Sequence, residues 1–292
     1  MNPRGAVPWI LALMLVAAAG WAQMRSGSVS GSAGEATRTT DTSSSSALAE
    51  EVVAPGSRTV ATADEVDRWP PVATFSILGY DPETGEVGGA VQSRVFAVGN
   101  GVLWAEANVG VVATQAIVDV SYGPQGLALL REGMAPSAVV ETILRNDPNP
   151  RPEGWTIEGR QFSVMSARGE VATHTGPRAS DWAGHRVGRY VSAQGNILAG
   201  EEVVNSMVEA FEATEGHLSF RLQAALEAGQ AAGGDRRGMQ SAAMLIVKED
   251  GGVWLNNDVV LRLQVDDSEE PIVELRRLVE IAGRQRDRIR GR

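Results

Sequence analysis

The feature that most restricts the fold is a hairpin signal near residue 80. Its first arm, Val72 to Tyr80, alternates apolar side chains with Thr74 and Ser76, which is typical of a β-strand. The next segment, Asp81 to Gly85 (DPETG), has a proline and a glycine at positions that favour a tight turn. Glu86 to Ser93 returns as a second strand. We therefore expect an antiparallel hairpin with Thr74 at the head of its first strand.

After the hairpin, the predicted helices and strands follow in pairs and do not alternate singly along the chain. Apolar residues recur at helical spacing in two segments within 123–147 and in two more within 201–229. The run SAAMLIV, Ser241 to Val247, is continuously apolar, as in a strand covered on both faces. This order does not fit a doubly wound sheet and predicts an α+β fold of stacked sheets with helices outside. Further strands are expected at 103–107, 109–116, 161–166, 170–174, near 191 and at 261–265, and a last helix from Pro271.

Composition indicates a large core and excludes several function classes. The 292 residues are 43% hydrophobic, and the net charge is -10. Basic clusters before the C-terminal tail are no longer than arginine pairs, so nucleic acid is not expected as a partner. Cysteine is absent, which excludes disulfides, thiolate nucleophiles and zinc-thiolate sites. Lys248 is the only lysine and so the only candidate for a lysine base.

The first 22 residues have the features of an export signal. Arg4 precedes an apolar core, Val7 to Ala19, and Gly20-Trp21-Ala22 places small residues where a signal peptidase reads them. An uncleaved anchor is the alternative, but this core is shorter than the roughly twenty residues that a membrane span requires. We expect cleavage after Ala22, export to the periplasm or outside the cell, and no membrane span in the mature chain.

The remaining chain divides into three parts. Residues 23–68 are rich in Ser, Thr, Gly and Ala and predict a disordered linker, because they cannot bury enough apolar surface to offset the entropy lost on ordering. One folded domain is expected over 69–285. Residues 286–292 form a short basic tail.

From about Val72 to about Ala282 the chain resembles the family called domain of unknown function 1028. The likeness is carried by segments such as ATFSILGYDPETGEVGGAVQS, SYGPQGLALLREG, WAGHRVG and ALEAGQAAGGDRRGMQSAA. The resemblance implies the four-layer αββα sandwich of N-terminal nucleophile (Ntn) hydrolases. It implies no established reaction.

The resemblance makes Thr74 the candidate nucleophile. In Ntn hydrolases the first strand begins with Thr, Ser or Cys, and the α-amine of that residue is the base for its own side chain. Here residues 23–73 would still precede Thr74 after signal cleavage, so a second cut between Ala73 and Thr74 is needed. A structural threonine is the other reading, since its β-branch suits a pleated strand. No lysine lies between residues 74 and 247, which argues against a lysine-assisted mechanism.

Polar residues at strand ends are the candidates for substrate contacts. Gln92 and Ser93 could orient the amine or bind substrate, and a capping role in the turn is equally consistent. Arg94 could supply positive charge, although an arginine cannot accept a proton. Other strand-end residues could form an oxyanion pocket or be ordinary ladder positions. These are Asn108, Thr114 and Gln115.

A loop with the sequence AGGDRRGMQ is the second candidate site. Asp235, Arg236 and Arg237 could hold a substrate carboxylate through backbone N–H groups and a guanidinium, or could form an internal network that ties the loop to the core. The three histidines of the chain match no metal motif, so neither a metal nor a cofactor is expected. They are His174, His185 and His217.

Two functions from different classes follow. One is an amide-bond hydrolase that acts on a small-molecule or peptide amide through Thr74. The other is a catalytically inactive Ntn-like fold that binds an anionic or peptide ligand, such as a cell-wall component, in the envelope. The N-terminus of the mature protein distinguishes them, because only a terminal Thr74 has an amine that can act as base.

Overall fold

A computed structural model describes residues 74–150, 152–289 and 291. The predicted signal peptide (1–22), the predicted linker (23–68) and the predicted start of the domain at 69 lie outside these residues. The described part has a mixed α+β fold with two antiparallel sheets and five α-helices, which confirms the α+β class. Within it, we find no helix whose length and hydropathy would suit a bilayer span.

Ten strands build the two sheets. In chain order they are β1 (Thr74–Tyr80), β2 (Val87–Ser93), β3 (Leu103–Glu106), β4 (Gly110–Ala116), β5 (Arg160–Ser166), β6 (Val171–Thr175), β7 (Gly184–Gly188), β8 (Val191–Gly195), β9 (Ser241–Val247) and β10 (Val259–Val265). The larger sheet has the order β10-β9-β2-β1-β8-β7, and the smaller one the order β3-β4-β5-β6. The predicted hairpin β1–β2 is therefore the centre of the larger sheet.

The helices come in two pairs and a final single helix. They are α1 (Tyr122–Arg131), α2 (Pro136–Asn146), α3 (Glu201–Ala213), α4 (Leu218–Ala231) and α5 (Pro271–Ile289). Pro136 and Pro271 each occupy the first turn, where a missing N–H costs nothing. The last helix continues past residue 285, where the sequence predicts the end of the domain, to Ile289.

Three apolar clusters hold the sheets and helices together. Alternation along β1 sends Ile77 to one face of the larger sheet and Leu78 to the other. The face with Leu78 packs against the smaller sheet through Val91, Val111, Met165 and Leu245. The face with Ile77 packs against α3, α4 and α5 through Met207, Phe211, Leu222 and Leu275. On the smaller sheet, the outer face packs against α1 and α2 through Val112, Leu130, Ile143 and Phe162.

The sequence signals locate most of these elements. The β1–β2 turn has Gly85 at a φ of 76°, and the β3–β4 turn has Asn108 at a φ of 61°, both in the left-handed region. Strand β9 has the bounds that its apolar run predicts. Strand β7 was not predicted, because its sequence GHRVG contains a single strong strand former. Its pairing with β8, from Gly184 opposite Gly195 to Gly188 opposite Val191, fixes it as an edge strand.

Candidate functional site

Thr74 lies at the sheet end where β1 begins. The strand registers place it opposite Ser93, the last residue of β2, and Ser93 opposite Ser241, the first residue of β9. The Oγ1 of Thr74 donates a hydrogen bond to the Oγ of Ser93 at 3.2 Å. All three side chains are completely buried. A row of three hydroxyls therefore crosses the centre of the larger sheet at the head of β1.

The side chain of Thr74 faces the smaller sheet. Thr74 and Leu78 lie on the same side of β1, and Leu78 belongs to the cluster between the sheets. Phe75 and Ile77 lie on the other side and contact the helices. The hydroxyl that the sequence singles out is therefore directed into the space between the two sheets.

The carbonyl oxygen of Thr74 accepts hydrogen bonds from both sheets. The backbone N–H of Asn196, just after β8, donates to it at 3.1 Å. The Nε2 of Gln115, on β4 of the smaller sheet, donates at 3.3 Å, and the Nδ2 of Asn196 at 3.5 Å. Gln115 and Asn196 are both buried. Three N–H donors from two residues thus hold the carbonyl group of Thr74.

Gln161, on β5, connects these two amide groups. Its Oε1 accepts from Gln115 Nε2 at 2.9 Å and from Asn196 Nδ2 at 3.1 Å. Its Nε2 donates to the carbonyl of Gly195 at 2.8 Å, to Thr175 Oγ1 at 3.0 Å and to the carbonyl of Gly184 at 3.1 Å. One buried side chain of the smaller sheet therefore joins the strand ends of both sheets beside Thr74.

The polar network continues deeper between the sheets. Ser76 Oγ donates to Gln115 Oε1 at 2.5 Å and accepts from Gln194 Nε2 at 2.7 Å. Ser192 Oγ donates to Gln194 Oε1 at 3.2 Å and contacts Thr173 Oγ1 at 2.8 Å. Polar side chains thus fill the part of the inter-sheet space next to Thr74, whereas apolar side chains fill the rest.

A sequence model of DUF1028, described as a family of unknown function, matches residues 74–275. The chain belongs to this family. A solved member with a similar structure is protein SPO2555 from Silicibacter pomeroyi, which is 33% identical, with a TM-score of 0.64 over 72% of this chain and 86% of that one. No protein with a curated description matches. The family resemblance is confirmed, and it carries no assigned reaction.

The site residues that sequence reasoning missed in this DUF1028 chain are Gln161, Gln194 and Asn196. A signal for two of them existed. Gln161 and Ser163 alternate with apolar residues on β5, and Ser192 and Gln194 do so on β8, although both strands are completely buried. A polar face on a buried strand indicates a buried polar network, because such groups need hydrogen-bond partners.

Gln92 and Arg94 flank Ser93, the strand partner of Thr74, yet both contact a different part of the DUF1028 fold. Gln92 lies on the helix-facing side of β2, and its Nε2 donates to the carbonyl of Gly238 at 3.4 Å. Arg94 is exposed, and its Nη1 donates to the carbonyl of Met239 at 3.2 Å. Ser93, the third residue predicted at the end of β2, accepts a hydrogen bond from the Thr74 hydroxyl.

Asn108 and Thr114 are not brought to Thr74. Asn108 is exposed at the β3–β4 turn and donates to Glu249 Oε2 at 2.9 Å. Glu249 follows the end of β9 that is remote from Ser241, so Asn108 lies at the opposite end of the sheets. Thr114 donates to the carbonyl of Gly101 at 2.7 Å, on the face of β4 opposite to Gln115. Of the three predicted oxyanion residues, only Gln115 lies beside Thr74.

The loop that contains Asp235 is tied to itself. Asp235 is buried, and its carboxylate accepts from the backbone N–H, the Nε and the Nη2 of Arg237 at 2.9, 3.2 and 2.9 Å. These bonds join two residues of the same loop. Arg236 is exposed, and its backbone N–H donates to the carbonyl of Ile197 at 3.0 Å, next to Asn196.

His217 and Lys248 lie towards the end of the larger sheet remote from Thr74, whereas His185 contacts Thr175, which binds Gln161. Burial lowers the pKa of His174, as does the nearby His185. Burial also lowers the pKa of His185, whose Nδ1 contacts Thr175 Oγ1 at 2.9 Å. His217 caps α4 by accepting from the backbone N–H of Ser219. Lys248 follows the far end of β9. Across the described ranges, no three His, Asp or Glu side chains form a group that could hold a metal ion.

Proposed function

We propose that this DUF1028 protein is an exported amide-bond hydrolase of the N-terminal nucleophile type, with Thr74 as its nucleophile after the Ala73–Thr74 bond is cut. The observation that carries the proposal is the position of Thr74 at the head of β1, with Oγ1 directed between the sheets and 3.2 Å from Ser93 Oγ. The start of the family match at the same residue supports it. So does the packing, because the three apolar clusters suit a four-layer αββα sandwich.

The proposed mechanism uses the side-chain hydroxyl and the α-amine of the same residue, Thr74. In the cut chain the α-amine of Thr74 takes the proton of Oγ1 as Oγ1 bonds to the substrate carbonyl carbon. The resulting ammonium gives that proton to the leaving nitrogen as the C–N bond breaks, and an ester remains on Thr74. Water, deprotonated by the same amine, then cleaves the ester and restores the hydroxyl. An uncut chain has an amide nitrogen at this position, which cannot act as base.

The surroundings of Thr74 order its reactive groups. Thr74 is completely buried. Ser93 accepts the hydrogen bond of Oγ1 and so fixes the direction of the hydroxyl. The Asn196 and Gln115 amides fix the carbonyl of the same residue. The neighbouring residues therefore hold the hydroxyl and the carbonyl of Thr74 in place. The uncut chain lacks the free α-amine that the mechanism requires.

The test compares two forms of one protein. The intact chain from Gln23 and a chain that begins at Thr74 are purified, and amine release is measured for a panel of acyl amides and short peptides. We expect turnover only from the chain that begins at Thr74. Replacement of Ser241 by Ala is the matched control, because Ser241 is a buried hydroxyl in the same row that bonds to the carbonyl of Val95 instead. Equal turnover by both forms would refute the proposed mechanism.

A second candidate function is ligand binding without catalysis. The observation that favours it is Arg236, whose side chain is exposed and forms no ion pair with any residue in the described ranges. Such a guanidinium suits an anionic peptide. Binding of a fluorescent acidic dipeptide, measured by anisotropy, should weaken on Arg236→Ala. Unchanged binding by that variant would exclude this loop as the ligand site.

A further inference from the structure

We propose that Gln161 is the positioning residue of the Thr74 site: it orients the amide groups of Gln115 and Asn196 so that both donate to the Thr74 carbonyl. The inference rests on the proposed function and extends it to a residue on the other sheet. Gln161 does not contact the reacting atoms, so it acts through the two amides that it holds.

The hydrogen bonds of Gln161 allow one orientation of its amide. The Nε2 end faces three acceptors, which are the carbonyls of Gly184 and Gly195 and the Oγ1 of Thr175. The Oε1 end faces two N–H donors. A reversed amide would direct its N–H groups at two donors and its oxygen at two carbonyls. Because Gln161 is 1% exposed, water could not compensate for those losses.

This fixed polarity determines what the next two side chains present to Thr74. Gln115 uses its Nε2 for both Gln161 Oε1 and the Thr74 carbonyl, and its Oε1 accepts from Ser76. Asn196 likewise uses its Nδ2 for Gln161 and for the same carbonyl. Loss of the shared acceptor would remove one hydrogen bond from each amide that donates to the Thr74 carbonyl.

The Thr74 carbonyl is one bond from the Cα that carries the α-amine in the cut chain. Holding this carbonyl restrains rotation about the Cα–C bond of Thr74, so it positions the amine and Oγ1 together relative to the two sheets and to a bound substrate. The hydrogen bond from Oγ1 to Ser93 restrains the rotation that sets the amine relative to Oγ1. The two amide N–H groups also place partial positive charge beside the amine. This charge disfavours the ammonium form and keeps the base neutral at lower pH.

The experiment uses the chain that begins at Thr74 and three variants. Gln161→Leu removes both polar ends at similar volume. Gln161→Glu keeps an acceptor for Gln115 and Asn196, and burial favours its protonated form, which retains one donor. Gln223→Leu is the matched control, because Gln223 is 2% exposed and donates to the carbonyl of Ile272 on the helix side of the larger sheet. Thermal unfolding confirms that each variant is folded.

We expect Gln161→Leu to lower kcat by roughly 10- to 100-fold with KM nearly unchanged, since Thr74 is misplaced relative to the substrate carbonyl but the substrate surface is intact. The acidic limb of its kcat/KM profile should move to higher pH. Gln161→Glu should retain more kcat than Gln161→Leu, and Gln223→Leu should keep both kcat and the pH profile. If Gln161→Leu has the kcat and the pH profile of Gln223→Leu while the parent chain is active, the positioning role is wrong and the proposed hydrolase stands.

A second readout does not depend on turnover. Periodate cleaves the Cα–Cβ bond of an N-terminal threonine when its amine and hydroxyl can be bridged, and the product is detected by mass. We expect Gln161→Leu to change the rate of this oxidation and Gln223→Leu to leave it at the parent value. If no amide is hydrolysed by the parent chain, the hydrolase proposal fails and this rate alone decides the positioning role. Identical rates in all variants would then overturn it.

Discussion

Arg160 and Asp147 form an ion pair that is almost fully removed from water. The Nε of Arg160 lies 2.9 Å from Oδ2 of Asp147, and the two side chains are 2% and 0% exposed. Tyr122 also donates to this carboxylate, and Arg160 Nη1 donates to the carbonyl of Ile117 at 2.9 Å. The pair therefore links the start of β5 to the loop after β4 and the loop after α2, on the outer side of the smaller sheet.

Removal of one partner should unfold the protein at much lower denaturant concentration. Asp147→Asn leaves the Arg160 charge buried without its carboxylate, so we expect a loss of about 3–5 kcal/mol in the free energy of unfolding. Urea titration followed by circular dichroism measures it. Glu274→Gln is the control, because it breaks an exposed pair with Arg277 and should cost less than about 1 kcal/mol. A cost for Asp147→Asn no larger than that of the control would contradict the role assigned to the buried pair.

The same carboxylate makes stability depend on acid pH. Burial raises the pKa of Asp147, but hydrogen bonds from Tyr122, Arg160 and the backbone of Asn149 outweigh burial and lower it below its usual value. A lowered pKa in the folded state stabilises the protein above the ordinary carboxyl pKa, and this contribution is lost as the pH falls through the lowered value. Unfolding measured from pH 6 down to pH 2 should show a smaller acid-dependent loss in Asp147→Asn than in the parent.

His174 should contribute a separate loss of stability nearer neutral pH. Burial against Phe162, with His185 nearby, lowers its pKa in the folded state. The unfolded chain then binds the proton more readily, so stability is full above the ordinary histidine pKa and decreases as the pH falls towards the lowered value. NMR titration of the His174 ring should give a midpoint below that of a histidine in an unfolded peptide. A midpoint at or above the peptide value would contradict this assignment.

Arg236 and Arg237 should differ sharply although they are neighbours. Arg237→Ala leaves the buried Asp235 carboxylate without its guanidinium, and we expect roughly 1–3 kcal/mol of destabilisation. Arg236→Ala removes an exposed side chain and should change stability by less than about 0.5 kcal/mol. Parallel urea titrations test the pair. Equal effects would show that the Asp235–Arg237 contact does not hold the loop.

Substitution at Thr74 should separate the need for a hydroxyl from the need for a methyl group. In the chain that begins at residue 74, Thr74→Ser keeps an oxygen on the β-carbon and should retain turnover. Thr74→Ala should lose at least about 10³-fold in kcat, because no acyl ester can form. Amine release under saturating substrate measures both. Substantial turnover by Thr74→Ala would remove Thr74 from the mechanism.

The terminus of the natural protein tests export and processing together. The export signal predicts that residues 1–22 are absent from the mature protein, and the hydrolase proposal predicts that residues up to Ala73 are absent from its active fraction. N-terminal sequencing and intact mass of protein from the cell envelope and medium measure both. Intact Met1 as the dominant form would contradict export, and an active fraction that still begins at Gln23 would contradict the amine mechanism.

The sequence by itself determined the local features of this protein. Alternation and the DPETG turn defined the β1–β2 hairpin, the continuous run SAAMLIV defined β9, and the prolines at 136 and 271 marked two helix starts. The pairing of these elements in chain order was sufficient for the α+β class, and several long segments were sufficient for the family. Such features depend on neighbouring residues, which the sequence presents directly.

Only the tertiary structure decided which residues share a site with Thr74. Strand order brings the ends of β4, β5 and β8 to the head of β1, so Gln115, Gln161 and Asn196 meet there across two sheets. The pleat turns Gln92 to the opposite face from Ser93, and the direction of β4 carries Asn108 to the far end. The turn fixes the register within the β1–β2 hairpin, but the order of strands that are distant in the sequence depends on packing between them, which no local pattern encodes.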